Sequence, residues 1–259
     1  MVNTVQLFAT CILDTLYPQT GKAVVKVLER AGVSVGFPSG QTCCGQPAFN
    51  AGMRLQAREM AIHTIQIFEP APGPVVVPSG SCAAMIRYSY PELFAGDAVW
   101  LPRAQALAAR TFELTEFLVD VLGVTNLGAS FHGPVTYHSS CHLLREMGVN
   151  RQPKALLSAV QEANLTPGEA SRPLKLIELP RSEECCGFGG VFSVEHPQIS
   201  GTMLERKIEN IEQTGTETVV VCDAGCMTNI NGGLHRRKKS PRVVHIAEVL
   251  ASGGENHER

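Results

Sequence analysis

Hydrophobic and polar positions along the chain form short strand-like runs separated by longer helical patterns. The β-branched runs Val75–Val77 and Val219–Val221 predict strands that are buried on both faces. Between such runs, apolar residues at three- and four-residue spacing predict amphipathic helices. The helical positions are Val24, Val25 and Leu28; Ala61, Ile65 and Phe68; and Leu204, Ile208 and Ile211. Alternating strands and helices of this kind predict an α/β fold with a parallel sheet.

The same pattern occurs twice. The extended run Val5–Leu13 corresponds to Val135–Leu143, and Val75–Cys82 corresponds to Val219–Cys226. Each half also closes with a similar helical segment. We therefore predict two tandem, pseudo-symmetric α/β repeats, each with a small, mostly parallel sheet and Cys-bearing loops at the carboxyl ends of its strands. The join is expected in the stretch 123–133, which is rich in Gly, Asn and Ser, and this gives repeats of residues 1–128 and 129–259.

Composition adds limits on location and partners. The chain has 259 residues, a net charge of −2 and 44% apolar residues, which are enough for ordinary cores. Nucleic acid and anionic lipid are not expected as partners because no overall basic charge is present. No basic residue precedes Lys22, and Thr4, Gln6 and Thr10 interrupt the first apolar run, unlike a signal peptide or a transmembrane segment. We expect a cytoplasmic protein with no transmembrane segment.

Eight of the nine cysteines follow one pattern used twice. Each half has a single Cys, an adjacent Cys pair followed by Gly, and a final Cys about forty residues later. The first set is Cys11, Cys43, Cys44 and Cys82; the second is Cys141, Cys185, Cys186 and Cys226; Cys222 is unmatched. An odd number of cysteines and a reducing compartment argue against a disulfide framework. Metal or redox chemistry explains the pattern better.

Spacing also indicates the kind of metal. Loops at the carboxyl ends of parallel strands converge, so four thiols of each half are expected to meet. Thiolates select iron–sulfur clusters, zinc or copper(I). Structural zinc sites favour Cys pairs separated by two residues, whereas adjacent cysteines diverge and suit different irons of one cluster. We favour a cluster in each half, with zinc as the alternative.

A glycine follows each Cys pair. Gly45 and Gly187 are expected to let the backbone pass close to the metal-bound sulfur and to donate N–H groups to it. The run Gly187–Gly190 lacks the G-x-G-x-x-G spacing and follows a Cys pair, so no dinucleotide site is predicted there.

These motifs carry a family resemblance over nearly the whole chain. The most specific segments are Cys43–Ala48, Cys185–Ser193 and Val244–Leu250. The chain resembles the cysteine-rich CCG proteins, and most closely the lactate utilization protein A family of iron–sulfur-binding proteins. The wider group includes the catalytic subunit of heterodisulfide reductase and the iron–sulfur subunit of glycolate oxidase, whose CCG motifs hold clusters of the [4Fe–4S] type.

The resemblance implies a function and partners. It implies an electron-transfer subunit, without autonomous activity, of an oxidoreductase complex that oxidises L-lactate to pyruvate. Up to two [4Fe–4S]-type clusters would be bound, one by each Cys set, and the partners would be other iron–sulfur or ferredoxin-like subunits. Two alternatives stay open: thiol–disulfide chemistry like that of heterodisulfide reductase, and a structural zinc-binding module.

The sequence departs from the reductase pattern at two positions. The reductase ends each motif in C-x-x-C, whereas Ser79 and Asp223 occupy the first position of that pair here. These two residues either replace a thiolate or cap the helices that follow, and Cys222 is a possible substitute ligand in the second half.

Weaker signals lie outside the thiols. The basic run His235–Lys239 is either a solvated helix end or a docking site for an acidic, ferredoxin-like partner. His138, His142 and His196 lie near the Cys loops in sequence but are not included among the predicted ligands.

Overall fold

The fold was examined in a computed structural model, which describes residues 2–163 and 173–253. In these ranges eight strands form two four-stranded sheets, and every pairing of neighbouring strands is parallel. The first sheet consists of β1 (Thr4–Leu7), β2 (Ser34–Gly36), β3 (Val75–Val77) and β4 (Thr111–Glu113), in the order β2-β1-β3-β4. The second consists of β5 (Pro134–His138), β6 (Lys175–Ile177), β7 (Thr218–Val221) and β8 (Arg242–His245), in the order β6-β5-β7-β8. The predicted pair of tandem α/β repeats is confirmed.

Helices connect the strands. The first repeat contains α1 (Cys11–Leu16), α2 (Pro18–Arg30), α3 (Gln46–Asn50), α4 (Arg54–Phe68), α5 (Gly80–Ala84), α6 (Tyr90–Leu93), α7 (Trp100–Ala109) and α8 (Leu114–Glu116), with π-helical turns at Met85–Ser89 and Phe117–Val121. The second contains α9 (Cys141–Arg145), α10 (Arg151–Ala163), α11 (Phe192–Glu195), α12 (Pro197–Gln213), α13 (Ala224–Arg236) and α14 (Ile246–Ala251). None of the described helices combines the length and the apolar character needed to cross a membrane.

The central strands are buried as their sequences predict. All three residues of β3 are buried, and so are all four of β7, because helices cover both faces of a parallel sheet. The strands before the single cysteines are shorter than predicted. β1 ends at Leu7, and Cys11 is already the first residue of α1, with Thr10 in an extended conformation before it. Cys141 likewise begins α9, so each of these thiols lies at a helix start and not within a strand.

The two repeats share a hydrophobic core. The last helix of the second repeat, α14, packs against α2 of the first, and α8 of the first repeat packs against α10 of the second. Leu114, Leu156 and Val249 are fully buried members of this shared core. Arg30 of α2 also donates hydrogen bonds to the carbonyls of Leu250 (3.1 Å) and Ser252 (3.2 Å). The hydrophobic core of each repeat is therefore completed by the other repeat. The boundary between residues 128 and 129 stays a prediction.

Candidate metal centre

All eight matched cysteines line one cavity between the two repeats, with a volume of about 70 Å³. The single and final cysteines follow the central strands, and the adjacent pairs follow the edge strands β2 and β6. All of them lie beyond the carboxyl ends of the strands, where a parallel α/β sheet leaves a crevice. The sequence predicts two separate four-Cys sites. The structure brings each set together as expected and places the two sets side by side in a common space.

Within each set the thiols are in contact. In the first set, Cys44 Sγ lies 3.4 Å from Cys82 Sγ. In the second, Cys141 Sγ lies 3.8 Å from Cys185 Sγ. Cys44, Cys82, Cys186 and Cys226 are buried, whereas the other four matched cysteines are partly exposed toward the cavity. Each set thus combines two buried and two accessible sulfur atoms.

The crowded thiols favour one thiolate in each set. Hydrogen bonds from Cys11 and Cys44 lower the pKa of Cys43 to about 3. Hydrogen bonds from Cys141 and Cys186 lower the pKa of Cys185 to about 2. The pKa of each donating thiol is raised in return, first because it donates a hydrogen bond to that thiolate and also because it is buried. A soft metal ion or cluster that displaced the remaining protons would relieve this competition.

The glycines after the Cys pairs have the conformation that the pattern predicts. Gly45 and Gly187 have φ values of 86° and 88°, a region that favours glycine. The Gly187 N–H donates to Cys185 Sγ at 3.3 Å. A Cβ atom at Gly187 would lie 2.6 Å from the Ser200 carbonyl oxygen, and one at Gly45 would lie 3.2 Å from Met60 Cβ. Both glycines let the Cys loop pack closely against the helix behind it.

A side chain donates a hydrogen bond to a backbone carbonyl of each Cys pair, and this side chain differs between the two repeats. In the first repeat, the Tyr90 hydroxyl donates to the Cys44 carbonyl at 2.8 Å. In the second, the Asn229 side-chain amide donates to the Cys186 carbonyl at 2.9 Å. The pairs are therefore fixed before any metal binds, although the supporting residues differ.

Asp223 joins the two halves of the centre. Its Oδ1 accepts hydrogen bonds from the backbone N–H groups of Gly225 (2.9 Å) and Cys226 (3.3 Å), which caps α13. Its Oδ2 accepts from the Ser79 hydroxyl and the Ser81 N–H, both at 2.9 Å. The capping interpretation therefore holds for Asp223, and the carboxylate also holds the start of α5 in the other repeat. Ser79 makes no cap of its own helix.

Cys222 lies outside the centre. It is fully buried in the core shared by the two repeats and is not part of the cavity wall. Its Sγ lies 3.7 Å from the Tyr137 hydroxyl, and burial raises the pKa of its thiol. The suggestion that Cys222 replaces the missing thiol of the second set is wrong, because its side chain packs on the core side of the strand end.

Of the three histidines near the Cys loops, His138 lies deepest. Its side chain is fully buried, and one ring nitrogen and the sulfurs of Cys186 and Cys226 all lie within 4.8 Å of one another. Burial, with a contribution from Lys207, lowers the pKa of His138 to about 3, so its imidazole is neutral. His142 lies on the cavity wall with Nδ1 3.6 Å from Cys141 Sγ, whereas the His196 ring is tilted against that of Phe192. His138 is not among the predicted ligands, and the structure places it beside two sulfurs of the second Cys set.

The basic run His235–Lys239 is partly neutralised by α12. Arg237 pairs with Glu205 at 2.8 Å, and Lys239 pairs with Glu212 at 2.5 Å. Both pairs are partly exposed, so they contribute little to stability and can exchange partners.

Duplication, parallel sheets and a shared thiol-lined cavity define a two-repeat, cysteine-rich α/β protein. In agreement, the sequence profile of the family described as "Cysteine-rich domain" matches residues 5–87 and 135–231. Lactate utilization protein A of Bacillus pumilus is 49% identical over 248 residues, which cover 96% of this chain and 99% of that protein. The Exiguobacterium protein of the same name is 47% identical (96% and 97% covered), and that of Bacillus subtilis is 46% identical (96% and 99% covered). The chain belongs to the lactate utilization protein A family.

Proposed function

We propose that this chain is an iron–sulfur electron-transfer subunit of a complex that oxidises L-lactate to pyruvate. In this proposal Cys11, Cys43, Cys44 and Cys82 bind one [4Fe–4S]-type cluster, and Cys141, Cys185, Cys186 and Cys226 bind a second. The observation that carries the proposal is the convergence of all eight thiols on one cavity. The names of the relatives supply the substrate.

The donor set suits a cluster. Thiolates are the usual protein ligands of iron–sulfur clusters. Backbone N–H groups such as that of Gly187, which donates to Cys185 Sγ, stabilise the negative charge on sulfur and help to set the reduction potential. When bound, such clusters would accept and release one electron at a time. The protein would hold them, shield the buried sulfurs from water and keep them close to each other.

Zinc is the second candidate, and one observation favours it. A tetrahedral ion with Zn–S bonds of about 2.3 Å holds its sulfur atoms about 3.8 Å apart. The Cys44–Cys82 sulfur distance is 3.4 Å and the Cys141–Cys185 sulfur distance is 3.8 Å. Each pair therefore has about the spacing of two sulfurs on one zinc ion. The adjacent cysteines of each pair favour a cluster instead. Metal content distinguishes the two.

The oxidation of lactate to pyruvate releases two electrons and two protons, so a two-electron acceptor must meet the substrate first. The sequence contains no recognisable flavin or nicotinamide motif. We therefore assign substrate oxidation to partner subunits, which would pass electrons one at a time to the clusters held here. The ferredoxin-like subunits expected from the resemblance are the proposed partners.

Docking of such a partner would use the basic run His235–Lys239. This run ends α13, whose opposite end carries Cys226. An acidic partner would compete with Glu205 and Glu212 for its cations. We place this assembly in the cytoplasm, where a reducing environment would keep the nine free thiols available.

Thiol–disulfide reduction, the remaining alternative, is less well supported. The position at which the reductase carries a further thiol is occupied by Asp223, whose two oxygens accept four hydrogen bonds. This carboxylate is fully engaged in the protein and is poorly placed to replace a thiolate ligand.

Gene replacement tests the function. A deletion strain should grow normally on glucose and poorly on L-lactate, and the wild-type gene should restore growth. A gene encoding Cys44→Ser should fail to restore it, whereas Cys222→Ala, which changes a thiol outside the cavity, should succeed. Normal growth of the deletion strain on lactate, with no second copy of the gene, would refute the proposal.

A further inference from the structure

The two halves of the centre differ at two equivalent positions. Cys11 and Cys141 align, so Phe8 of the first repeat corresponds to His138 of the second. The helices behind the Cys pairs can be aligned through the residues that contact the two glycines. A Cβ at Gly45 would meet Ala57 and Met60, and one at Gly187 would meet Ser200 and Met203. In this register the counterpart of Lys207 on α12 is Thr64 on α4.

His138 carries unused hydrogen-bonding capacity toward the second Cys set. Both ring nitrogens are buried and make no hydrogen bond of normal geometry within the described part of the chain, although the Ser182 backbone lies close enough to act on the ring. A buried polar group without a partner is costly, and a neutral imidazole has one donor and one acceptor to satisfy. The nearest candidates are the sulfurs of Cys186 and Cys226, which lie within 4.8 Å, and whatever those sulfurs bind.

Lys207 brings a cation to the same place. Its side chain is fully buried, which is rare for lysine. Its Nζ donates to the carbonyl of Arg181 at 2.9 Å and to that of Ser182 at 3.5 Å, in the loop that leads to Cys185. Among the described residues no carboxylate lies within 4.0 Å of the Lys207 ammonium. Glu184 exerts the strongest charge effect on Lys207, followed by Cys186, Cys226 and Glu183. The ammonium in turn lowers the pKa of His138.

The first repeat has neutral residues at both positions. Phe8 is buried and packs against Phe68, with ring centroids 5.6 Å apart. Thr64 is buried and carries no charge. The first Cys set is therefore backed by Phe8 and Thr64, which carry no charge. The second is backed by His138 and Lys207.

We propose that His138 and Lys207 complete the second Cys set and make the centre it binds more easily reduced than the centre of the first set. The proposal rests on the iron–sulfur function given above. A cluster becomes more negative when it gains an electron, so a buried cation stabilises the reduced form. Hydrogen bonding from His138 to sulfur would act in the same direction. An electron shared by the two neighbouring centres would then reside mainly at the second.

Redox titration of the anaerobically purified full chain, followed by electron paramagnetic resonance, tests this proposal. The wild type should show two midpoint potentials. Lys207→Met removes the charge while keeping an unbranched side chain, and it should shift the higher midpoint downward while leaving the lower one unchanged. Arg206→Met is the matched control, because it removes a cation from the adjacent but exposed position, where Arg206 pairs with Glu184 at 2.6 Å. It should shift neither midpoint.

His138→Phe gives the second repeat the residue of the first. It should lower the higher midpoint potential, as Lys207→Met does. If Lys207→Met does not fold, His138→Phe replaces it as the test variant. Iron and sulfide are measured in each variant to confirm equal loading. A single wild-type midpoint, a shift of the lower midpoint, or equal shifts in Lys207→Met and Arg206→Met would overturn the inference while leaving the iron–sulfur function intact. Absence of iron and sulfide from the wild type would refute that function itself.

Discussion

Asp223 of the second repeat accepts a hydrogen bond from the hydroxyl of Ser79 in the first repeat, at 2.9 Å. One buried carboxylate thereby holds the starts of α5 and α13, the helices that carry Cys82 and Cys226. The two Cys sets are thus coupled through a single side chain, and its replacement should affect both.

Asp223→Ala should destabilise the fold by about 2–4 kcal/mol, because it removes a helix cap and leaves buried donors without an acceptor. It should also reduce metal content in both sets. Urea unfolding and metal analysis measure these effects. Asp97→Ala is the control, since Asp97 caps α7 through Val99 and Trp100 N–H groups, both at 2.9 Å, away from the cavity. Loss of stability with unchanged metal content in Asp223→Ala would contradict the coupling.

Gly187→Ala should destabilise the chain more than a glycine substitution elsewhere with the same backbone conformation. Gly215 also has positive φ (64°), but a Cβ there would meet nothing within 4 Å. Gly215→Ala should therefore cost only the conformational penalty, about 1 kcal/mol. Gly187→Ala adds a 2.6 Å approach to the Ser200 carbonyl oxygen. Thermal unfolding compares them, and equal melting temperatures would count against the close packing of this loop.

Cys44→Ser and Cys186→Ser should each remove roughly half of the bound iron if each set binds one cluster independently. Cys222→Ala should retain the wild-type amount, because this thiol lies in the core and not on the cavity wall. Iron and sulfide per chain are the measurements. Retention of all iron in both serine variants would refute the ligand assignment, and loss of iron in folded Cys222→Ala would refute the exclusion of Cys222.

Glu113 should make stability depend on pH. Burial raises the pKa of this carboxyl from 4.5 to about 8. Between these values the folded chain keeps a proton that the unfolded chain has lost, so the contribution of Glu113 to the unfolding free energy falls as pH rises. Glu113→Gln should therefore show a weaker decline in stability between about pH 5 and 8 than the wild type. Urea unfolding across this range measures the difference, and parallel curves would show that Glu113 does not titrate as proposed.

The repeated Cys pattern and the strand–helix alternation could be predicted from the sequence because both depend on local spacing. The buried triplets at Val75–Val77 and Val219–Val221 are strands, as their sequences predict. The hydrogen bond between Ser79 and Asp223 could not be predicted, because it joins residues 144 positions apart that look like two independent helix caps.

Lys207 and Cys222 show a second limit of prediction from the sequence. Lys207 lies in the segment Leu204–Ile208, where a lysine beside Glu205 and Arg206 has the appearance of a solvated helix face. Only the packing of α12 against the Cys185 loop buries it. Cys222 is adjacent to Asp223 in sequence, yet strand geometry directs its side chain into the shared core. Side-chain direction at a strand end removed one possible ligand, and packing of a helix against a loop buried a cation.

Anaerobic purification followed by quantification of iron, acid-labile sulfide and zinc, with electron paramagnetic resonance of the reduced protein, tests the central claim most directly. We expect iron and sulfide in equal amounts, and a cluster signal whose intensity falls by about half in Cys44→Ser and in Cys186→Ser. Zinc bound stoichiometrically, without iron or sulfide, would contradict it.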